Sequence, residues 1–192
     1  MVSNQSDREN PPKIFKELQF ATGLQTSTVD RVNEAFLDRC PELKIVSNTA
    51  VGFNNIDVGA CTERGILVTN TPGVLDESVA DYAMGLIIAA CRRLTESERY
   101  LRAGLWRGVS LTKMLGRDVN GANLGLVGFG RIGQAIAKRA QAFEMKIFYH
   151  ARNQVRPEVE QNLAAVFLSL DKLLAVSDIV LLIVPYKKDT HH

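Results

Sequence analysis

The sequence is poor in cysteine, histidine and long apolar runs, and each shortage excludes a class of protein. Its three cysteines, Cys40, Cys61 and Cys91, stand far apart in 192 residues and show neither metal-ligand nor redox spacing. No disulfide scaffold and no metal site are therefore predicted, and the thiols are expected to be reduced and mostly buried. The longest apolar run, residues 83–91, is far shorter than the roughly 20 residues that a membrane-spanning helix needs. Residues 1–12 are polar and lack the apolar core of a secretory signal.

An excess of one charge sign is also missing. Lysine and arginine total 23 against 21 aspartates and glutamates, for a net charge of +2. This balance gives no support to a nucleic-acid or membrane partner. The hydrophobic share of 46% is enough to bury a real core. Together these features predict a cytoplasmic globular protein of one large or two small domains.

The sequence does contain a glycine fingerprint in a convincing setting. Residues 124–127 have the apolar character of a short buried strand, and Gly128, Gly130 and Gly133 follow at G-x-G-x-x-G spacing. The apolar residues of 132–143 then recur at helical spacing. Such a strand–turn–helix unit places a pyrophosphate at the helix N-terminus. It predicts dinucleotide binding, although a glycine-rich turn that only joins two elements has the same spacing.

The choice between NAD and NADP as the cofactor depends on the residues at the end of the next predicted strand, which covers residues 145–149. An NAD site usually places a carboxylate there for the ribose 2′-hydroxyl. Here the strand is followed by His150, Ala151, Arg152 and Asn153. Arg152, helped by His150, has the chemistry to bind a 2′-phosphate, which favours NADP(H) and leaves NAD(H) possible. The alternative is that Arg152 is a solvated loop charge.

Strand-like and helix-like segments alternate along most of the chain, which predicts an α/β fold with parallel sheets. Residues 20–24 are predicted as a strand and 28–37 as a helix. Residues 70–73 have turn chemistry and separate two units, predicted as domains at 1–74 and 75–192.

The second unit is predicted to open with a long helix capped by Asp76 or Ser78, and its last strand is placed at 179–184. That strand has no following crossover and leaves an apolar sheet edge. The helix carries an apolar stripe at helical spacing, formed by Val79, Ala83, Leu86, Ile87 and Ala90.

Four segments give the chain its resemblance to a known family. They are residues 43–57, 63–81 and 125–139, with 177–185 behind the third. In content, order and spacing they resemble the D-isomer-specific 2-hydroxyacid dehydrogenases, nearest to the glyoxylate/hydroxypyruvate reductases. The resemblance runs through nearly all of residues 14–192. It implies an incomplete Rossmann-like doubly wound sheet for cofactor binding and a partial flavodoxin-like substrate domain.

The resemblance also assigns roles to particular residues. Val51 and Gly52 occupy the loop whose backbone N–H groups hold the substrate carboxylate, although by spacing alone this is equally an ordinary strand-to-helix loop. Gly130, Arg131 and Ile132 match the segment along the pyrophosphate.

Val184, Pro185 and Thr190 match the segment beside the cofactor, although by sequence alone the first two are the buried end of a strand. Residues 76–106 match the region through which family members form dimers, while an apolar stripe is also typical of plain core. The chain departs from the family at Asn54, commonly Asp, and at Ile183, often polar.

The family's catalytic arginine, carboxylate and histidine lie downstream of the matched segments, so no catalytic residue is predicted here. By the resemblance His150 lies at the adenosine end, and His191 and His192 are the last two residues of the sequence, where neither is expected to act as the catalytic acid. The resemblance therefore implies a central slice of an NADP(H)-dependent reductase of a small 2-oxo acid such as glyoxylate or hydroxypyruvate. The 192-residue chain alone is predicted to be inactive. A non-catalytic dinucleotide-binding or interaction module and a non-functional gene fragment remain as alternatives.

Overall fold

The computed structural model describes residues 18–185 and residue 190. The chain divides into two compact units, one formed by Met1–Val74 with Pro185–His192 and the other by Leu75–Val184. We call them unit 1 and unit 2. Within the described residues, no helix combines the length and the apolar character needed to cross a membrane.

Unit 1 is built on a parallel three-stranded sheet in the order β1-β2-β3. Its strands are β1 (Gly23–Thr26), β2 (Ile45–Asn48) and β3 (Leu67–Thr69), and its helices are α1 (Glu34–Leu37) and α2 (Val58–Glu63). Side-chain caps begin both helices: Asn33 accepts from the Phe36 N–H at 3.0 Å, and Asp57 accepts from the Ala60 N–H at 2.9 Å. Such caps satisfy backbone donors that a helix start leaves open.

The core of unit 1 explains two of the cysteines. Val46 of β2 is fully buried together with Leu37, Cys40 and Cys61. Burial raises the pKa of both thiols, because an apolar environment disfavours the thiolate. Both are free, as predicted, and behave as small apolar side chains. Cys91, in unit 2, is free and half-buried.

Two predictions for unit 1 are wrong in extent. The strand predicted at 20–24 begins only at Gly23, and the helix predicted at 28–37 is the single turn α1. The reason lies in a local turn, where the Asp30 carboxylate accepts from both the backbone N–H and the hydroxyl of Ser27 at 2.8 Å. Asn55 then donates to the carbonyls of Ser27 and Asp30. These bonds use backbone groups that a helix would need.

Unit 2 contains a four-stranded parallel sheet in the order β6-β5-β4-β7. The strands are β4 (Asn123–Val127), β5 (Lys146–His150), β6 (Ala165–Phe167) and β7 (Ile179–Leu182). The helices are α3 (Asp76–Cys91), α4 (Leu94–Arg102), α5 (Arg131–Ala140), α6 (Pro157–Leu163) and α7 (Leu170–Val176), with a 3-10 turn at Gln141–Phe143. The chain moves outward from β4 to β6 and then returns to β7 on the other side. This reversal is the switch point of a doubly wound sheet.

Both faces of β4 are covered, which makes it the centre of the unit. Leu124 and Leu126 are fully buried in a cluster with Ile136 and Ala137 of α5. On the opposite face, a Cβ added at Gly125 would lie 2.3 Å from the Ser177 hydroxyl and 2.7 Å from a methyl of Leu173. The absence of a side chain at this position lets α7 pack directly on the strand. The predicted α/β Rossmann-like fold is thus confirmed.

The buried face of α3 differs from the predicted stripe. Ala83 and Ile87 are buried as expected, but Leu86 and Ala90 are exposed, and Ala80 and Met84 are buried instead. The predicted side-chain caps are also absent: the Asp76 carboxylate pairs with Arg131, and the Ser78 hydroxyl donates to the Leu75 carbonyl. Arg139 of α5 pairs with Glu77 and Asp81 on α3. The face of α3 that carries Ala80, Ala83, Met84 and Ile87 packs in one buried cluster with residues of α5, and the ion pairs add further contacts between the two helices.

The last strand is also shorter than predicted, since β7 ends at Leu182 and not at residue 184. The Ile183 N–H still donates to the Val127 carbonyl at 2.8 Å. Pro185, two residues later, has no N–H and cannot continue the ladder. Val180 and Leu182 are 45% and 67% exposed, so β7 carries exposed apolar side chains at the sheet edge.

Candidate dinucleotide and carboxylate sites

The turn that follows β4 requires glycine at Gly128. Its φ of +106° lies in the region that L side chains rarely adopt, and its N–H donates to the His150 carbonyl at 2.8 Å. A Cβ added there would lie 2.4 Å from the Ile183 carbonyl oxygen. Gly128 is therefore explained by the fold itself, because both conformation and space exclude any other residue.

Gly133 and Gly130 have different explanations. A Cβ at Gly133 would lie 2.6 Å from the Gly128 carbonyl oxygen, so glycine lets α5 pack closely on the turn. At Gly130 the φ is −75°, which any residue adopts, and an added Cβ would meet no atom of the described residues within 4 Å. Neither conformation nor internal packing requires glycine at position 130. The open space beside its backbone has the character of a cradle for a closely approaching ligand.

The start of α5 supplies the electrostatics for such a ligand. No side chain caps this helix, whose first-turn N–H groups belong to Arg131, Ile132 and Gly133. Arg131 is 62% exposed and uses only its Nε, which donates to Asp76 at 2.9 Å, in the bonds that the described residues form. The two terminal NH2 groups of its guanidinium are left to bind an anion. A positive helix end, free N–H groups and an arginine together fit a pyrophosphate.

His150 and Arg152 lie at and just after the end of the neighbouring strand β5. His150 is the last residue of β5, paired in register with Val127 at the end of β4. Its Nδ1 lies 3.0 Å from the Leu168 carbonyl oxygen, and because a carbonyl only accepts, Nδ1 carries the proton. Arg152 is exposed and makes no hydrogen bond or ion pair within the described part of the chain. Both interpretations of Arg152, phosphate ligand and solvated charge, agree with this position.

The remaining predicted cofactor residues fall into two places. Val184 lies beside the glycine turn, with its Cγ1 3.1 Å from the position of a Cβ on Gly128. Pro185 and Thr190 belong to unit 1, where the Thr190 hydroxyl donates to the Pro185 carbonyl at 2.8 Å. Gly128, Gly130, Arg131, Ile132, Gly133 and Val184 are thus brought together in unit 2.

In unit 1, three successive backbone carbonyl oxygens of the loop after β2 each accept a hydrogen bond. The Ala50 oxygen accepts from the Thr71 N–H at 3.1 Å. The Val51 oxygen accepts from the Asn70 amide at 2.9 Å, and the Gly52 oxygen from the Asn48 amide at 2.8 Å. In a trans peptide the N–H points opposite to the carbonyl. The N–H groups of Val51, Gly52 and Phe53 therefore point away from these donors, which makes them candidate donors to an anion.

Asn48 and Asn70, whose amides hold the carbonyls of this loop, are residues that the sequence interpretation missed. Asn48 is fully buried and also accepts from the Thr26 hydroxyl at 3.2 Å. The available signal was a polar amide two residues after Val46, on the buried face of β2, where an aliphatic residue would be expected. Its partner Gly52 lies four residues away and its partner Thr26 lies 22 residues away, and the sequence did not show that the amide bonds to either.

Replacing Asn48 by Asp tests this support. The change is nearly isosteric, but it places a carboxylate oxygen against the Gly52 carbonyl in a fully buried position. We expect a loss of about 3 kcal/mol of unfolding free energy, the cost of an unpaired buried polar or charged group. Urea denaturation followed by circular dichroism measures it. Asn54→Asp, on the exposed part of the same loop, is the matched control and is expected to change little. Equal stability of the two variants would contradict the supporting role.

The family model for the NAD binding domain of the D-isomer specific 2-hydroxyacid dehydrogenases matches residues 84–192. This is more than half of the chain. The chain belongs to this family. The match covers the glycine turn, the start of α5 and the end of β5 described above. The resemblance derived from the sequence is thereby confirmed, while the roles of the individual site residues stay predictions.

The chain is also similar to individual proteins and solved structures. The glyoxylate reductase of Thermococcus onnurineus strain NA1 is 45% identical over 183 residues, which are 93% of this chain and 54% of the relative. The TT0316 protein from Thermus thermophilus is 43% identical, with a TM-score of 0.86 over 95% of this chain and 57% of that one. The D-lactate dehydrogenase from Aquifex aeolicus, complexed with NAD and lactic acid, is 35% identical, with a TM-score of 0.85 over 93% and 52%. The chain thus spans little more than half the length of these relatives.

Proposed function

We propose that the two candidate sites described above form the cofactor-binding and carboxylate-binding parts of an NADP(H)-preferring reductase. Its substrate is a small 2-oxo acid such as glyoxylate or hydroxypyruvate. The observation that carries the proposal is Gly130, whose lack of a side chain is explained by neither φ nor neighbours. A pyrophosphate against its backbone explains it. Relatives that bear the name glyoxylate reductase support the choice of substrate class.

In this proposal, the bound dinucleotide supplies the hydride for reduction. The chain's own residues bind and orient. The first turn of α5 and Arg131 hold the pyrophosphate through N–H donors and charge. In unit 1, the N–H groups of Val51 and Gly52 hold the substrate carboxylate, since their carbonyls are engaged on the opposite side. Val184, Pro185 and Thr190 keep their proposed place beside the cofactor.

For the 192 residues themselves we propose binding without turnover. The family resemblance assigns the catalytic arginine, carboxylate and histidine to none of them. His150, at the proposed adenosine end, donates a hydrogen bond through Nδ1 to the Leu168 carbonyl. A longer protein that carries those groups would perform the reduction.

We also propose that the region of residues 76–106 pairs two copies of the protein. Tyr82 and Leu86 on α3 are 70% and 50% exposed, and Trp106 beyond α4 is 53% exposed. Apolar side chains of this size on one helical region are typical of a surface that another protein covers.

The preference for NADP(H) is supported by the absence of a carboxylate in residues 150–153 and by the guanidinium of Arg152, which forms no hydrogen bond or ion pair with the residues that the structure describes. We expect the chain to bind NADPH at least about tenfold more tightly than NADH, the effect of a single charge-assisted contact to phosphate. Arg152→Ala is expected to remove that difference while leaving NADH binding unchanged. Isothermal titration calorimetry on the full chain measures both constants.

Lys138→Ala serves as the matched control, because it removes an exposed cation on α5 that has no assigned role. It is expected to preserve the tenfold preference. If Arg152→Ala binds the two cofactors with the wild-type ratio, Arg152 is a solvated charge and the NADP(H) assignment is wrong.

A further inference from the structure

The loop between β5 and α6, which carries Arg152, is fixed by hydrogen bonds near both of its ends. The hydroxyl of Tyr149, a residue of β5, accepts from the Val155 N–H at 3.1 Å, so the backbone that leaves β5 after His150 returns to the Tyr149 side chain at residue 155. His150 is fixed separately through Nδ1 and the Leu168 carbonyl. Ala151, Arg152 and Asn153 form the short arc between these anchors.

One carboxylate joins the Tyr149 hydroxyl to the loop residue Gln154. Glu160 on α6 accepts from the Tyr149 hydroxyl at 2.6 Å and from the Gln154 amide at 2.9 and 3.1 Å. Tyr149 itself is fully buried and stacked on Phe129 at a centroid distance of 4.0 Å. The chain thus ties its loop to a rigid core residue through Glu160.

The protonation state of the Tyr149 hydroxyl suits this role. Burial, followed by the hydrogen bond and the negative charge of Glu160, raises the pKa of Tyr149 to about 12. The hydroxyl therefore keeps its proton at neutral pH and donates to the carboxylate while it accepts from the Val155 N–H. Both bonds persist under the conditions in which the cofactor would bind.

Arg152 depends on this arrangement because nothing else holds it. In the described residues its guanidinium has no ion pair, and its side chain is exposed. A long cationic side chain on a mobile loop would lose conformational entropy on binding a phosphate, and a fixed backbone reduces that cost. We propose that Glu160 is a positioning residue for cofactor selection, holding the loop of residues 151–155 so that Arg152 meets the 2′-phosphate. This inference rests on the proposed NADP(H) preference.

The test uses two small ligands that isolate the adenosine end, adenosine 2′,5′-bisphosphate and 5′-AMP, titrated calorimetrically into the full chain. The wild-type chain is expected to bind the bisphosphate about tenfold more tightly. A ratio near one would remove the proposed 2′-phosphate site and the inference with it. This first measurement separates failure of the proposed function from failure of the positioning role.

Glu160→Ala then tests the positioning role. We expect the affinity for the bisphosphate to fall about tenfold and that for 5′-AMP to stay within about twofold, because only the 2′-phosphate contact depends on the loop. Glu160→Gln is expected to stay within about threefold of the wild type for both ligands, since its amide oxygen can accept from Tyr149 and Gln154. Glu158→Ala, an exposed glutamate close by on α6, is the matched control and is expected to change neither affinity.

The inference is overturned if Glu160→Ala keeps the wild-type ratio, or if it weakens both ligands equally, as a merely structural role would. Circular dichroism melts establish whether each variant folds. If Glu160→Ala does not fold, Gln154→Ala replaces it, because Gln154 is exposed and its loss removes only two of the bonds. It is expected to lower the ratio about threefold, and an unchanged ratio refutes the proposal.

Discussion

Gly128→Ala is expected to destabilise unit 2 by about 3 kcal/mol or more. A non-glycine residue held in a sparsely populated φ region costs about 1–3 kcal/mol, and the φ of Gly128 is +106°. The added methyl would also lie 2.4 Å from the backbone oxygen of Ile183. Overpacking of this kind costs a further 1–3 kcal/mol or so, since the obstructing atom is backbone and cannot rotate away. Relief of the clash requires the segment after β7 to move.

Urea denaturation followed by fluorescence measures this loss. Trp106 is the single tryptophan of the chain and lies in unit 2. Gly85→Ala, on the exposed side of α3 with nothing within 4 Å of the added Cβ, is the control. It is expected to gain roughly 0.5–1 kcal/mol, because alanine is a better helix former than glycine. If the two variants were equally stable, the turn after β4 would not have the described conformation.

Local patterns were sufficient to predict the sheet elements and the glycine turn. The strand β4, the turn and the helix α5 are adjacent in sequence, and each glycine spacing carries its own physical meaning. The segment of residues 27–30 escaped prediction because its local bonds between Ser27 and Asp30 are supported by the amide of Asn55, which lies 28 and 25 residues from its two partners. No window around residue 28 contains this information.

The same reason explains the errors at α3 and at the carboxylate loop. The apolar residues of α3 are numerous enough to allow several buried faces, and packing against α5, a helix much later in the chain, selects one. In unit 1, the outward N–H groups follow from donors on separate segments, Asn48 and Asn70. A sequence motif indicated the position of this site, but only the fold shows why its carbonyls turn inward.

The contrast between Gly128 and Gly130 separates what the fold requires from what a ligand requires. Although both glycines belong to one fingerprint, Gly130 has a φ of −75° and open space where a Cβ would stand. Gly130→Val is therefore expected to keep the unfolding free energy within about 1 kcal/mol, the cost of a poorer residue at the helix start. The same variant is expected to weaken NADPH binding at least about a hundredfold. Two hydrogen bonds to charged phosphate oxygens contribute about 1.5–3 kcal/mol each, and a branched side chain in the cradle prevents both.

Calorimetric titration with NADPH, beside urea denaturation of the same samples, distinguishes the two effects of Gly130→Val. The matched control is Gly85→Val, which adds the same side chain at another position without close neighbours; its NADPH affinity is expected to equal that of the wild type. A Gly130→Val chain that binds NADPH normally would show that the pyrophosphate does not approach this backbone, and the proposed function would lose its main support. A chain that stays folded and no longer binds would assign Gly130 to the cofactor, because stability and binding would then depend on different glycines of one turn.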